Sequence, residues 1–390
     1  MKIAIFTETY LPDINGVVTH IKILKEGLEK NGHEVLIVTA DKNTKHYFFE
    51  DGILHCPAIE AKKIYNYGLA SPVSVERLRL IKKYNPDIIH IHNEFGVGFS
   101  GAVISGILKK PLVYTLHTMY DDYIYYIAKK PFVPIMKKAT RTYARFLARK
   151  STALTGPSKK VEEFFREAGV KKDVSVIPNP VEFEEFNPKK ITEEQILKFR
   201  EKFRINESTK IACFCGRLGK EKNVETLLNI WKGAITPEDN IKLLIFGDGP
   251  VKDELERQAI ELGIDNMVTF CGKVAHNDLP AYYASCDIYV TASLSDTDSI
   301  SMLEGMSMGL PVLQLYDELN KDQIEEGITG YMYKNADDFR QKMLLLKNMP
   351  ADDVKAFRQN VRLSVAKAKA EQFSKYLIEI YEDVIKKGNK

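Results

Sequence analysis

The residues of this chain that could do chemistry lie where apolar runs end. Gly216-Arg217-Leu218-Gly219-Lys220-Glu221-Lys222-Asn223 follows directly on the apolar run Ile211–Cys215. Arginine offers a planar fork of donors and lysine a point charge, the two usual partners of a diphosphate. A solvated basic loop is the other reading. Phe246-Gly247-Asp248-Gly249-Pro250 again runs from apolar residues into glycines, which admit a ligand close to the backbone or simply turn the chain. In Ser295-Asp296-Thr297-Asp298-Ser299-Ile300-Ser301-Met302-Leu303-Glu304, Asp296 and Glu304 are eight apart, and a helix is expected to start near Ser301. Asp296 would lie in the loop before it and Glu304 on its first turns. One carboxylate could then meet sugar hydroxyls and the other a ribose. Alternatively, Asp296 and Asp298 satisfy the positive end of the helix.

The first half carries weaker signals. Pro12-Asp13-Ile14-Asn15-Gly16-Val17 brings a glycine to the mouth of a helix, where backbone N–H groups and the helix dipole favour a phosphate. A plain loop-to-helix turn fits the same residues, and the absence of G-x-G-x-x-G disfavours a dinucleotide site. His117 sits where the run Leu112–Thr115 gives way to a loop, a position suited to a binding cleft. His90 and His92 share one face of a strand. Packing or substrate contact is favoured for them over a metal, because the sequence offers no evident third ligand.

The elements that must position these residues alternate. Ile3–Phe6, Glu34–Thr39, Ile88–Ile91, Leu112–Thr115, Ala153–Thr155 and Val174–Ile177 read as strands of the first half. Helices are expected over Val17–Asn31 and Val133–Lys150. The second half starts over with Ile211–Cys215, then Leu243–Phe246, Val268–Phe270, Ile288–Thr291 and Val312–Leu315, with helical stretches between. This predicts an α/β chain with a doubly wound parallel sheet in each half, two Rossmann-like domains facing across a cleft with ligand loops at the carboxyl ends of the strands. Prolines at 178, 180 and 188 place a linker at about 178–205. The domains are expected at 1–178 and 179–370, with a last helix at about 371–390 packing back on the first.

Composition sets bounds on this reading. The chain has 390 residues, 44% apolar and 28% charged, as expected of two globular domains. Residues 1–180 carry 27 Lys/Arg and 18 Asp/Glu, a net +9, whereas residues 181–390 carry 29 and 35, a net −6. The basic half is suited to an anionic partner, although scattered surface charge gives the same sum. No module signature for nucleic acid is present. No apolar run reaches bilayer length, Met1–Phe6 is too short for a signal peptide, and five scattered cysteines fit structural thiols, so a cytoplasmic location is expected.

Taken together, the motifs resemble the GT-B glycosyltransferases, specifically the retaining family 4. The likeness rests on Asn15-Gly16-Val17, His117, Gly216 to Asn223, Gly247 to Pro250, and Asp296 to Val312, in that order. It implies transfer of a hexose from a nucleotide-diphosphate sugar, a UDP-sugar by preference, as co-substrate and with no metal cofactor. Gly16 would offer its N–H to the donor phosphate. Arg217 and Lys222 would neutralise the departing diphosphate, Glu304 would hold the ribose, Asp296 would meet the donor sugar, and His117 would lie near it. Gly247, Ser299 and Ile300 complete the implied donor-binding set. The sequence departs from the family at Asp296 for Glu, Ser299 for Gly, Asn15 for the first of two glycines, Pro180 for Gly and Gly305 for Ala. Asp296 and Ser299 motivate a second reading, a catalytically weak homologue acting as a partner subunit or binding module.

Within the family, Leu116-His117-Thr118-Met119-Tyr120-Asp121-Asp122-Tyr123 resembles the bacterial diacylglycerol glucosyltransferases. Residues 109–150 hold ten Lys/Arg and two acids, with Phe132, Val133, Ile135, Met136, Tyr143, Phe146 and Leu147 interleaved. Such a basic amphipathic helix suits an anionic membrane surface, and hence a lipid acceptor and a peripheral place on the inner face of the membrane. A solvated helix face is the alternative. A third reading takes Asp296-Thr297-Asp298 as the metal-binding D-x-D of a GT-A enzyme, and two successive sheets argue against it.

Overall fold

The computed structural model describes residues 1–13, 15–61, 67–119, 121, 124, 130–366 and 370–388. Ile14, Tyr120, Asp122 and Tyr123 of the motifs above lie outside the described residues. The chain divides into two compact units, Met1–Pro180 with Ala370–Lys390, and Val181–Lys369.

The first unit runs β1 (Lys2–Thr7), α1 (Gly16–Lys30), β2 (Glu34–Asp41), β3 (Phe48–Glu50), β4 (Ile53–Ala61), β5 (Tyr67–Ala70), α2 (Val75–Tyr84), β6 (Ile88–Ile91), α3 (Gly96–Leu108), β7 (Leu112–Thr115), α4 (Val133–Lys150), β8 (Ala153–Gly156), α5 (Lys159–Glu167) and β9 (Val174–Val176). Its strands order as β3-β4-β2-β1-β6-β7-β8-β9, with β5 on β4. All pairs are parallel except β3–β4 and β4–β5. The antiparallel β3 to β5 were not expected from the sequence. His46-Tyr47-Phe48-Phe49 and Ile53–Ala61 alternate poorly, and β3 is an exposed edge without a buried face to advertise it.

Strand parity sorts the side chains. Ala4 and Phe6 of β1 pack into one core with Ile89 and Ile91, whereas Ile3 and Ile5 pack with α1 on the opposite face. The second of these cores is closed by the end of the chain. Phe373, Leu377, Tyr381 and Val384 of the final helix lie in it beside Ile21, Leu24 and Leu28.

The second unit runs α6 (Glu193–Lys202), β10 (Lys210–Cys215), α7 (Val224–Ala234), β11 (Ile241–Phe246), α8 (Lys252–Glu261), β12 (Val268–Gly272), α9 (Leu279–Ala284), β13 (Ile288–Thr291), α10 (Ile300–Ser307), β14 (Val312–Leu315), β15 (Gly330–Tyr333), α11 (Ala336–Lys347) and α12 (Ala351–Val365). The final helix, α13 (Ala370–Gly388), belongs to the first unit. The strand order β12-β11-β10-β13-β14-β15 is parallel throughout, and one core surrounds it, with the single tryptophan, Trp231, fully buried. The expected linker at 178–205 is not all loop. Thr192 caps α6 with Gln195 in a capping box, and Phe199 anchors that helix in the core. The acids and prolines there mark a helix start as well as a break.

Candidate active site

In doubly wound sheets, ligand loops collect where strand order reverses. In the second unit β10 leads outward to β11 and β12, and the chain then returns to place β13 on the other side of β10. The loops leaving β10 and β13 are therefore neighbours at the switch point, and they carry Arg217, Lys222 and Asp296.

Close backbone packing holds these loops. Gly216 donates to the Phe246 carbonyl (3.0 Å) and Gly247 to the Gly272 carbonyl (2.8 Å). Gly247 has φ of 144°, and a methyl there would meet the Gly216 carbonyl oxygen at 1.9 Å, so only glycine fits. Asn223 reaches from the end of the β10 loop to the Ala292 carbonyl (3.0 Å), and the Ser295 hydroxyl donates to the Glu221 carbonyl (2.8 Å). Asn320 and Gln323 secure the other side, donating to the backbone of Asp296 (2.6 Å) and Thr297 (3.1 Å).

Two cations of the β10 loop, Arg217 and Lys222, face carboxylates. Arg217 Nη2 lies 2.5 Å from Glu221, whose side chain is fully enclosed, and Lys222 pairs with Asp296. Two basic groups and two acidic ones thus share one loop crossing. A diphosphate arriving there finds its charge partners already oriented, in contact with groups it can displace.

Asp296 lies in the loop and Glu304 on α10, whose N-terminus is capped by Ser299 accepting from the Met302 N–H at 3.4 Å. Ile300 opens that helix. Ser301 donates to the Cys215 carbonyl (2.9 Å) and ties α10 to the end of β10. Glu304 is buried. Burial pushes its carboxyl up to about 8, against the nearby charge of His276, which lowers it. Tyr283 donates to Glu304 Oε2 at 3.4 Å. His276, 2.6 Å from Glu182, is raised by that hydrogen bond. Sequence reading missed Glu221, His276 and Glu182. Glu221 lay inside the quoted motif, but nothing in residue type separated it from a solvated acid.

The first unit has its own switch point, between β2 on one side of β1 and β6 on the other. Gly16 is the first residue of α1, and Asn15 caps that helix by accepting from the Val18 N–H at 3.0 Å. In place of a second glycine, Asn15 also donates to Thr9 Oγ1 (3.3 Å) and Tyr67 OH (3.2 Å). His117 follows β7 and sits among His20, His90 and His92. His92 Nδ1 is 2.9 Å from His117 Nε2, and the His20 ring meets the His117 ring edge-on with centroids 4.5 Å apart. The sequence paired His90 with His92 and found no third partner. The structure keeps the His90 and His92 rings together, with centroids 4.0 Å apart, and adds His20 and His117 to His92, since helix α1 delivers His20 to the same face. The spacing of four from Gly16 to His20 was the available signal.

The charged candidates of the second unit thus come together, and His117 and Gly16 belong to the first unit. The family model described as Glycosyltransferase Family 4 matches residues 14–185, and the one described as Glycosyl transferases group 1 matches residues 195–364. An alpha-monoglucosyldiacylglycerol synthase of Streptococcus pneumoniae is 32% identical over all of this chain and 87% of its own length. This chain belongs to the family 4 glycosyltransferases. The synthase of the same name from Acholeplasma laidlawii is 28% identical over 100% of this chain and 99% of its own. Among solved structures, Anabaena Alr3699/HepE in complex with UDP and glucose superimposes with a TM-score of 0.74 at 17% identity, covering 98% of this chain and 100% of that one. That likeness shows the GT-B fold. The protein is a glycosyltransferase, and its family 4 and group 1 segments coincide broadly with the two sheets.

Proposed function

We propose that this glycosyltransferase is a retaining hexosyltransferase that takes a hexose from a UDP-sugar and transfers it, without a metal, to a lipid acceptor such as diacylglycerol at a membrane surface. The observation that carries this reading is the pairing of Arg217 with Glu221 and of Lys222 with Asp296 at the second switch point. Two cations so placed can take up the charge that develops on a departing diphosphate, the task a metal performs elsewhere. The named activity of the two synthases and the UDP and glucose of HepE support the choice of acceptor, sugar and base.

In this reading Glu304 accepts from the ribose hydroxyls, and the Gly16 N–H meets the donor phosphate. Asp296, one methylene shorter than the family's glutamate, turns from Lys222 toward the sugar once the diphosphate engages that lysine. Gly247, Ser299 and Ile300 shape the donor pocket, and His117 faces the transferred hexose.

Helix α4 supports the lipid acceptor. Ala144, Leu147 and Ala148 face the core, while Ile135 and Phe146, and Phe132 just before the helix, are exposed at 65%, 45% and 57%. Ile135, Lys138, Ala139, Thr142, Tyr143 and Phe146 line a shallow, mostly apolar groove with one lysine among its walls, as suits an interfacial helix. Among the described residues no helix is long and apolar enough to cross a membrane.

The test is a mass-spectrometric donor screen with diacylglycerol in anionic vesicles, with and without EDTA. Transfer from a UDP-hexose with retention at the anomeric carbon, insensitive to EDTA, is expected. Arg217→Ala should lower it by roughly 100-fold or more, the scale of losing a transition-state charge partner, and Glu304→Ala should lower kcat/KM by at least about ten-fold through lost ribose hydrogen bonds. Full transfer in both variants, or strict dependence on a divalent cation, would overturn the reading.

A further inference from the structure

Parity along β6 and β7 turns four polar side chains the same way. Ile88 of β6 and Val113 of β7 face the core closed by α13, so His90, His92, Thr115 and His117, of the same parity, point to that side. Each ring is tied. His90 has Tyr381 OH at 2.7 Å on Nδ1 and Thr115 Oγ1 at 2.7 Å on Nε2. His20 Nδ1 is 2.9 Å from the amide oxygen of Asn179 and, since that oxygen only accepts, carries the proton. Phe373 of α13 covers the His20 ring edge-on at 4.8 Å.

Ring nitrogens of His20, His92 and His117 lie within 4.8 Å of one another, which raises the question of zinc. His92 Nδ1 and His117 Nε2 are 2.9 Å apart. Two nitrogens bound at about 2.05 Å to a tetrahedral zinc stand about 3.3 Å apart, so this spacing is that of an N–H···N hydrogen bond.

All four rings are neutral at neutral pH. Burial takes His20 down to about 4 and holds His90, His92 and His117 well below 6.5. A neutral imidazole has one N–H and one lone pair. His92 Nε2 is buried and has no partner among the described residues. An N–H stranded there would be the rarer and costlier arrangement, a bare lone pair the milder one. The His92 proton therefore sits on Nδ1, and His117 Nε2 receives it.

We propose that His92 is a positioning residue for the transfer: its Nδ1–H donates to His117 Nε2, which fixes the His117 ring and puts the His117 proton on Nδ1. This rests on the reading that His117 faces the transferred sugar. His92 touches no substrate in this scheme. It determines which nitrogen of its neighbour carries the proton and how that ring is held.

The experiment compares wild type with His92→Asn, whose amide can place a donor near the former Nδ1, and His92→Phe, which keeps the ring and loses the donor. Nitrogen-15 NMR of histidine-labelled protein reads the tautomer directly, and donor kinetics and thermal unfolding are measured on all three. In wild type, His117 is expected to show a protonated Nδ1 and an unprotonated Nε2. His92→Phe should lose kcat by roughly 10- to 100-fold, as small misplacements at a reacting centre do, with donor KM changed by less than about two-fold. His92→Asn should recover most of that loss. A wild-type His117 protonated at Nε2 would overturn the proposal. So would wild-type kcat in His92→Phe, or equal kcat losses in both variants that track their loss of thermal stability. The NMR result needs no turnover, so failure of the UDP-hexose reading is distinguishable from failure of this one.

Discussion

Glu304 shows how a single buried group couples donor binding to proton concentration. Its carboxyl titrates at about 8 because burial disfavours the charge. At pH 7 it is mainly protonated, whereas ribose hydroxyls donate best to a carboxylate. Donor binding then lowers its pKa, so affinity for a UDP-sugar should increase as pH rises through about 8. Calorimetry across that range should show the rise in wild type and a weak, flat response in Glu304→Gln. The sign for stability is opposite. Between the ordinary carboxylate value of 4.5 and about 8 the folded chain holds a proton that the unfolded chain has lost, so Glu304 makes the fold less stable as pH rises through that window. Glu304→Gln, a permanent mimic of the protonated form, should melt higher than wild type above pH 8 and about equally near pH 4. A melting difference independent of pH would count against this account. His276 and Glu182 face the same carboxyl, with opposite effects on it, and belong in any fit of the profile.

At the scale of elements, the candidate site is a product of loops held by one another rather than by their own strands. The β10 loop leans on the β11 loop through Gly216 and Gly247, and on the β13 loop through Asn223 and Ser295. Gly247→Ala drives a methyl into the Gly216 carbonyl, and the β10 loop is the part that can give. We expect Gly247→Ala to stay folded, to lose about 1–3 kcal/mol of stability, and to lose transfer more severely than it loses stability, because Arg217 and Lys222 move with the loop. Urea unfolding beside donor kinetics tests this, and unimpaired kinetics would contradict it. Legibility differed between elements. Strands β6, β7, β13 and β14 and helix α4 were predicted with the residue ranges observed, since each is a short apolar run or a periodic stretch between breakers. β3 to β5 and β15 escaped, because β3 is exposed and the buried positions of the others are few and filled in part by small residues such as Gly68, Ala70 and Gly330.

At the scale of the whole molecule, charge is divided as the two segments are. The +9 of residues 1–180 against the −6 of residues 181–390 places the basic excess in the unit that carries α4. Lys137, Lys138, Arg145, Arg149 and Lys150 lie on that helix, and Arg141 is spent on Asp121 (2.8 Å) and Glu167 (2.9 Å). Cosedimentation should show binding to anionic vesicles that weakens with salt and is small on zwitterionic ones. Ile135→Glu with Phe146→Glu should cut vesicle binding at least about ten-fold while leaving thermal stability nearly unchanged, since both side chains are exposed. Binding that ignores salt and both substitutions would remove α4 from the membrane reading. The end of the chain matters at this scale too. α13 supplies one wall of the first unit's core and a hydroxyl to His90, so residues nearly three hundred positions apart meet in one cluster.

The sequence by itself determined the fold class and the family, because apolar runs alternating with helical stretches specify parallel sheets and because motif residues keep their type wherever they sit. It also named the cations and carboxylates around Arg217, Lys222, Asp296 and Glu304. Only the tertiary structure decided their company: that Arg217 faces Glu221, that Lys222 faces Asp296, that Glu304 is buried enough to hold a proton, and that His92 lies against His117. Arg217 and Glu221 are four apart in one loop, whereas the pairings of Lys222 with Asp296 and of His92 with His117 depend on strand order and parity, which bring together residues 74 and 25 positions apart. Local pattern records what each residue is, and the crossing of β10 with β13 and of β6 with β7 sets the distance and dielectric in which its charge acts.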